Sequence, residues 1–479
     1  MNDPGVARAY HQLTVHDPVR PPGRDPRLVR RFRPMQWDRK PPQFKTYPDA
    51  PIVPLPPELS PGMAGATDVG LLGRLLFLSA GVVRVVEAGG ETLWFRAAGS
   101  AGNLSPIEVY LVTGDVAGLD AGVYHYEPVG HGLVPLRTVP PGTSPSIVLT
   151  GVPWRTCWKY AERGWRHLYW DAGTMLAHVV AVAEEAGLAA KVEVGFVDAE
   201  VAALVGADGV QEFPLAVVPL DGSLTIPDPQ PVPGGHLADD PLEFPLVTAV
   251  QRAGDLADQA GVATWRRAAA LFSGEPATTV APPLTESLDE VVRRRGSTRR
   301  FDPRRTAPAE LLTGALAWAT TAVPGDFTAA GTTLLEHDVA VHAVDGVQAG
   351  AYRWRAGHLA PVATGAVRDV AAFLCLGQEL GGQGAYTAFH GTDLDALLPA
   401  LGSRGYRAAQ LEAGVVEGRL HLAAFAHHHG ATGLTFYDDE VSRFFRTRAS
   451  PLLATAVGAP AYRSVPGGTP GRPARLSRR

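Results

Sequence analysis

A tandem α+β protein, made of two copies of one domain that can pack as an intrachain pseudo-dimer, is the fold class this sequence predicts. Two internal landmarks predict it. Arg163-Gly164-Trp165-Arg166 with Asp171-Ala172-Gly173 returns as Arg404-Gly405-Tyr406-Arg407 with Glu412-Ala413-Gly414, every matched residue 241 positions on. Gly122-Val123-Tyr124-His125-Tyr126 with His131 and Leu133 returns as Gly350-Ala351-Tyr352-Arg353-Trp354 with His358 and Leu359, shifted by 226 to 228. Two landmarks in the same order at similar offsets mark a duplication. A site that lies between subunits in a dimer can then be built within one chain.

The elements follow in order. Residues 1–57 are rich in Pro and Arg with little periodicity and read as an extended arm. The first domain, 58–225, opens with a helix over Val69 to Val83, then strands at Thr92 to Arg96 and Ile107 to Val112. A hairpin pairs Gly122 to Tyr126 with Leu133 to Arg137, and Ser146 to Thr150 makes a further strand. Trp165, Leu168, Tyr169, Ala172, Leu176, Val179 and Ala183 recur at helical spacing, so Trp158 to Ala186 predicts one long buried helix ending at Gly187. Strands at Lys191 to Phe196 and Pro214 to Pro219 complete the domain. Residues 226–283 hold a Pro-rich linker, Pro227 to Gly235, and a helix over Leu246 to Phe272. The second domain, 284–470, repeats the pattern after a short helix from Ser287 to Val292, and 471–479 is a basic tail.

Composition narrows the function. The chain has 479 residues, 46% of them apolar, and a net charge of -5, which argues against nucleic acid as the main partner. Residues 1–50 carry ten Lys or Arg against five Asp, and four Arg lie between Arg472 and Arg479. These stretches read either as solvated arms or as a docking strip for an acidic peptide or carrier. Cys157 and Cys375 exclude a disulfide framework and suit a reducing cytoplasm. No apolar run approaches the roughly 18 residues of a membrane span. The expectation is a cytoplasmic protein with no membrane or nucleic-acid partner.

Four motifs could carry chemistry. Ala98-Gly99-Ser100-Ala101-Gly102 imitates a serine-hydrolase elbow, but a strand follows where the elbow needs a helix. A turn of such small residues also brings backbone N–H groups close to a flat or anionic ligand, with Arg96 adding charge. Arg293-Arg294-Arg295-Gly296-Ser297-Thr298-Arg299-Arg300-Phe301 combines guanidinium forks and hydroxyls suited to phosphate, or is a solvated basic patch. The glycine-rich dinucleotide and triphosphate fingerprints are absent. Lys159 beside Tyr160 can serve as a base if burial disfavours its ammonium form, or the two can be a surface Lys and a packing Tyr. His427-His428-His429 points three ways around a helix, so no more than one faces any metal.

Together these motifs resemble the SagB-type dehydrogenases of the nitroreductase-like flavin enzymes, over most of residues 1–470. The resemblance implies tandem nitroreductase-like domains and FMN. Arg96 to Glu108 is similar to the flavin-contacting turn, which implies cofactor contacts from Arg96, Ser100, Ala101, Gly102 and Asn103. Lys159-Tyr160 is similar to the catalytic pair of azoline oxidases. Tyr10-His11 and Phe44-Lys45-Thr46-Tyr47-Pro48 resemble the leader segment of tandem members. Arg295, Ser297, Thr298 and Arg299 match the phosphate signature. Gly430-Ala431-Thr432-Gly433 before Phe436-Tyr437-Asp438 resembles the late turn beside the flavin ring, which implies contacts from Thr432 and Gly433.

The departures matter too. The first half has Ser100-Ala101-Gly102-Asn103 but no arginine signature before Val69, and the second has the arginines but Trp318-Ala319-Thr320-Thr321 where the turn is expected. One FMN per chain, held between the halves with the mirror site lost, is therefore the expectation. Thr174 stands where the family pattern has His.

The implied activity is oxidation of a peptide or carrier-bound thiazoline or oxazoline to the azole, alongside a cyclodehydratase or peptide synthetase. Lys159 or Tyr160 would take the ring proton, hydride would pass to flavin N5 and dioxygen would reoxidise the flavin. Two other readings stay open: an NAD(P)H-dependent nitro or quinone reductase, and a non-catalytic peptide-binding subunit of a cyclising complex.

Overall fold

The computed structural model describes residues 3–19, 28, 35–60, 67–222, 226, 230 and 232–477. Part of the Pro-rich linker (227–229 and 231) and the last two arginines of the tail lie outside the described residues. The chain divides into two compact units. The first unit comprises residues 28–266, 324–326 and 466–479; the second comprises 1–27, 267–323 and 327–465.

In the first unit, Asp68 caps the helix Val69–Ala80 by accepting the Leu71 N–H at 2.8 Å, and the helix stops at Gly81. The strand Val82–Ala88 begins directly after it, two residues earlier than the apolar run suggests. Gly89 and Gly90, both with positive φ, turn it into Glu91–Arg96, and Ala474–Ser477 adds to the other edge in parallel. The main sheet is antiparallel and six-stranded, in the order Val53–Pro54, Gly132–Thr138, Gly122–Glu127, Ile107–Thr113, Ser146–Gly151, Phe213–Pro219. The helix Gly164–Glu185 is buried from Gly164 to Ala183, as its all-round apolar sequence requires.

The second unit repeats this plan. Its sheet runs His358–Thr364, Gly350–Arg355, Glu336–Val341, Tyr386–Thr392, Ser450–Gly458, Gly430–Leu434, all antiparallel. Five strands correspond, and each sheet adds a sixth at the opposite edge. The long helix Leu394–Ala426 is interrupted at Gly402 (φ 64°, ψ −161°).

That interruption exposes an error in the reading of Trp158 to Ala186 as one helix. The structure has two, Pro153–Tyr160 and Gly164–Glu185, separated at Ala161 (φ 50°, ψ −143°). Ala161 and Gly402 are 241 residues apart, so both copies turn at the same position. Apolar periodicity carries across a one-residue break, which is why the pattern conceals it. The glycine in each Arg-Gly-aromatic-Arg motif now has a cause. A Cβ on Gly164 would lie 2.7 Å from the Cys157 nitrogen, and one on Gly405 2.4 Å from Leu401 Cβ, so the helix after the break packs on the one before with no room for a side chain.

Other expectations are corrected in the same way. The arm is not wholly extended, because Pro4–Leu13 is a helix with Asp3 as its cap and Pro at its first position. The helix over Leu246 to Phe272 is two, Pro245–Ala253 and Gln259–Leu271, parted at Gly254. Lys191 to Phe196 makes only isolated bridges, Val192 to Gly325 and Glu193 to Val217.

The first unit buries a charged cluster beneath its sheet. Glu108, fully buried, accepts Arg155 Nη1 at 2.5 Å, His125 Nε2 at 2.8 Å and the Lys45 N–H at 2.8 Å. Burial alone would raise its carboxyl, but Arg155, His125 and Arg96 outweigh that and hold it far below the usual carboxylate range. Lys45 Nζ meets Glu212 at 2.7 Å, and Glu212 also accepts Tyr110 and Thr150 hydroxyls at 2.6 Å each. These bonds tie the segment before Tyr47 to the sheet.

Arg155→Ala would leave Glu108 buried without its cation, so chemical denaturation at pH 7 should show a loss of about 3–5 kcal/mol. Glu108 titrates lower in the folded chain than unfolded, so the stability it confers is present above the unfolded carboxylate pKa and is lost as pH falls below it. The gap between wild type and variant should therefore narrow at acid pH.

Candidate functional site

The expected site residues fall into two sets, one in each unit. In the first unit the turn Ser100 to Ser105 is held by a carboxylate. Asp171, on the helix Gly164–Glu185, accepts Ser100 Oγ at 2.7 Å and the Ala101 N–H at 2.9 Å, and Ser100 Oγ accepts the Ser105 N–H at 2.9 Å. The Ser100 hydroxyl is thus committed to Asp171, the opposite of a hydrolase nucleophile. Gln43 Nε2 pins the far side of the turn through Asn103 O at 2.7 Å. Gly102 (φ 63°) and Asn103 (φ 58°) are left-handed, which directs this part of the backbone outward.

Lys159 and Tyr160 end the helix Pro153–Tyr160 and converge on this turn. A methyl group on Gly102 would lie 2.8 Å from Tyr160 Oη and 3.0 Å from Lys159 Nζ. The left-handed φ favours glycine here, and a side chain would have to push the ends of Lys159 and Tyr160 aside. Ala161, which follows, holds a backbone conformation that L-residues disfavour at a cost of about 1–3 kcal/mol. Lys159 is exposed, so burial is not what would make it a base; its Nζ lies 5.3 Å over the Tyr160 ring. Arg96 sits behind the turn, buried, donating to Ile107 O at 2.6 Å with its guanidinium over the Phe44 ring. Burial brings it down to about 10.

Sequence reasoning missed His167. It is buried and stacks on Tyr160, with centroids 4.1 Å apart at 22°, and meets Trp170 edge-on at 4.5 Å. No sequence signal links it to Tyr160, because the break at Ala161 sets which helix faces meet. Thr174, the departure from the family pattern, bonds back to Trp170 O at 2.9 Å inside the helix.

In the second unit, Arg295 follows the helix Leu288–Arg294 and is buried. The Thr298 N–H donates to Ala431 O at 2.9 Å, and Ser297 bridges the same residue, so the arginine motif lies along the edge strand Gly430–Leu434. A Cβ on Gly430 would lie 2.0 Å from Thr298 Oγ1 and one on Gly433 2.1 Å from Glu417 Oε1. Arg295, Ser297, Thr298, Thr432 and Gly433 are therefore neighbours. Arg299 is exposed, its N–H bonded to Tyr462 Oη at 3.0 Å. Tyr10 and His11 pack against Tyr406, His11 Nδ1 lying 3.0 Å from its hydroxyl. The three histidines are not on a helix as expected: the long helix ends at Ala426 and they form the turn after it, where His428 pairs with Glu286 at 3.1 Å and His429 bonds His427 O at 2.7 Å.

The second copy of the turn is not Trp318 to Thr321. Trp318 and Ala319 close the helix Ala309–Ala319. Its counterpart is Thr333-Leu334-Leu335: Glu412, 241 residues after Asp171, accepts Thr333 Oγ1 at 2.8 Å and the Leu334 N–H at 2.8 Å. The positions matching Lys159, Tyr160 and His167 are Ala400, Leu401 and Ala408. Both units keep the acid-held turn, and only the first keeps the Lys, Tyr and His at these three positions.

Comparison with known proteins follows from this geometry. No family model matches the chain. A protein of Anabaena variabilis assigned as a nitroreductase superposes on 95% of this chain and 99% of its own, with a TM-score of 0.76 and 25% identity. The chain has a nitroreductase-like fold. A protein of Methanocaldococcus jannaschii assigned as a nitroreductase is 28% identical over 164 residues, 31% of this chain and 78% of that protein. A nitroreductase-assigned structure from Exiguobacterium sibiricum, in complex with FMN, matches 40% of this chain and 93% of its own at 15% identity and a TM-score of 0.27. Among the described residues of this nitroreductase-like chain, no helix is long and apolar enough to cross a membrane.

Burial pushes the Glu412 carboxyl up to about 7, against its bonds to Thr333 and Leu334. A carboxyl raised by folding lowers stability progressively as pH climbs from the unfolded pKa through the folded one. Glu412→Gln keeps an acceptor for Leu334 without the charge. It should gain about 1–3 kcal/mol relative to wild type between pH 5 and pH 8, read from denaturation midpoints; a difference that does not change with pH contradicts this assignment.

Proposed function

We propose that the chain is an FMN-dependent dehydrogenase that oxidises thiazoline or oxazoline rings of a peptide to the aromatic azole. The observation that supports this best is the convergence of Lys159 Nζ and Tyr160 Oη on Gly102 of the turn held by Asp171. A hydride relay alone needs no such pair, whereas azoline oxidation must also remove a ring proton.

The residues fit the cofactor. Arg295, Ser297, Thr298 and Arg299 offer guanidinium and hydroxyl donors suited to a phosphate, with Thr432 and Gly433 on the adjoining strand. Ala101, Gly102 and Asn103 offer a backbone surface without side-chain bulk, and Ser100 keeps it in shape. The first unit carries the polar pair, the second carries the arginine motif, and neither carries both. One FMN per chain is the corresponding proposal. When bound, FMN supplies the hydride acceptor.

The protein's own part is positional. Asp171 fixes the turn, His167 braces the Tyr160 ring, and the helix end sets Lys159 and Tyr160 at one spot. Either group can take the proton from the former Cα of the ring. Exposure leaves Lys159 open to substrate.

Lys159→Ala should retain FMN while azole formation from a thiazoline peptide, followed by the loss of two mass units, falls about 100-fold or more. Unchanged turnover would remove Lys159 from the reaction. Flavin released from the pure protein should equal one per chain, and two per chain would overturn the asymmetric reading.

A further inference from the structure

The second unit contains a polar cavity of about 110 Å³, lined among others by Glu275, Thr333, Glu336, His337, Arg353 and Arg355. That is space for about four waters, or for one planar cation on a short stem. The charged groups around it, Glu275 and Glu336 against Arg353 and Arg355, are unevenly paired. Arg353 Nε is matched by Asp338 at 3.1 Å and its Nη2 by Phe445 O at 3.1 Å. Arg355 Nε is matched by Glu275 at 2.7 Å. Among the described residues the half-buried Glu336 carboxylate makes no hydrogen bond or ion pair; burial and the nearby Glu275 raise its proton affinity, against the pull of Arg353 and Arg355.

The internal repeat shows what is missing. Glu336 pairs across the sheet with Gly391 as Glu108 pairs with Thr150, and Asp338 faces Arg353 as Tyr110 faces His125. Glu336 is thus the second copy of Glu108. Glu108 is satisfied by Arg155, His125 and the Lys45 N–H. The helices that follow start at Pro153 and Leu394, 241 residues apart, so Arg155 corresponds to Ala396. His125 corresponds to Arg353, which is turned to Asp338. The second copy kept the carboxylate and lost the arginine that pairs with it directly.

A second observation points into the same cavity. His337 is 4% exposed and lines it; its Nδ1 lies 3.0 Å from His390 Nδ1, and its Nε2 has no partner among the described residues. Burial keeps this imidazole neutral, with its pKa down to about 3, so its unpartnered Nε2 carries no charge of its own to set against Glu336. An unmatched carboxylate beside a buried, unpartnered ring nitrogen calls for a polar ligand that donates to Glu336.

We propose that this cavity binds a small organic cation, a guanidinium or primary ammonium group, which supplies to Glu336 the charge that Arg155 supplies to Glu108. The group could arrive as a free small molecule or as the side chain of an arginine-bearing peptide.

Calorimetric titration of the full chain with methylguanidinium, and separately with a capped Gly-Arg-Gly peptide, tests this without any flavin reaction. Saturable binding of at least one probe is expected, weakened about tenfold or more by Glu336→Gln. Peptide binding at least about tenfold tighter than methylguanidinium would identify the side chain as the source, and equal binding the free cation. Ala396→Arg, which returns an arginine to the position matching Arg155, should abolish binding. No saturable heat with either probe, affinity unchanged in Glu336→Gln, or binding retained in Ala396→Arg would overturn the proposal.

Discussion

A carboxylate buried in the middle of a long helix, gripping the turn that leads into the central strand, is the constraint on which the rest depends. Asp171 does this for Ser100 and Ala101, and Glu412 for Thr333 and Leu334. A hydroxyl and a backbone N–H are both needed, because a carboxylate so deeply buried must find donors. The consequence is geometric. Helix, turn and strand are locked in one arrangement, and whatever the preceding helix carries at its end is presented beside the turn.

From that shared frame the two copies have diverged in complementary ways. In the first, the helix end carries Lys159 and Tyr160, the ring of His167 backs them, and Glu108 is saturated by Arg155 and His125. In the second, Ala400, Leu401 and Ala408 replace that Lys, Tyr and His, and Ala396 stands where Glu108 has its arginine, leaving Glu336 without a direct ion pair. What the second unit offers instead is the arginine and hydroxyl motif along Gly430–Leu434. Duplication relieves each copy of part of the work, so one can lose a function that the other keeps. The same frame explains the conformational strain at Ala161, where the second copy uses Gly402.

Much of this was legible in the sequence. Alternating residues marked Gly122–Glu127 and Gly132–Thr138, and the two offsets, 226 to 228 at the hairpin and 241 at the helix, gave the repeat register that the strand pairings follow. What was illegible depended on long-range contacts. Ser100 and Asp171 are 71 residues apart, and nothing local says that one holds the other. The second turn was sought at Trp318 because it was expected to look like the first, yet Thr333-Leu334 shares only a hydroxyl with it; the gripping carboxylate identifies it. The break at Ala161 hides inside unbroken apolar periodicity. The helix Pro4–Leu13, by contrast, carried its cap and its proline in plain view and was obscured by the Pro and Arg content around it.

The central claim is that both acid-held turns are the same device but that only the first serves the cofactor. FMN affinity, followed by flavin fluorescence in Asp171→Ala and in Glu412→Ala at equal fractions folded, tests it most directly. The account predicts a loss of about tenfold or more in the first variant and little change in the second. Equal losses in both, or a loss confined to Glu412→Ala, would contradict it.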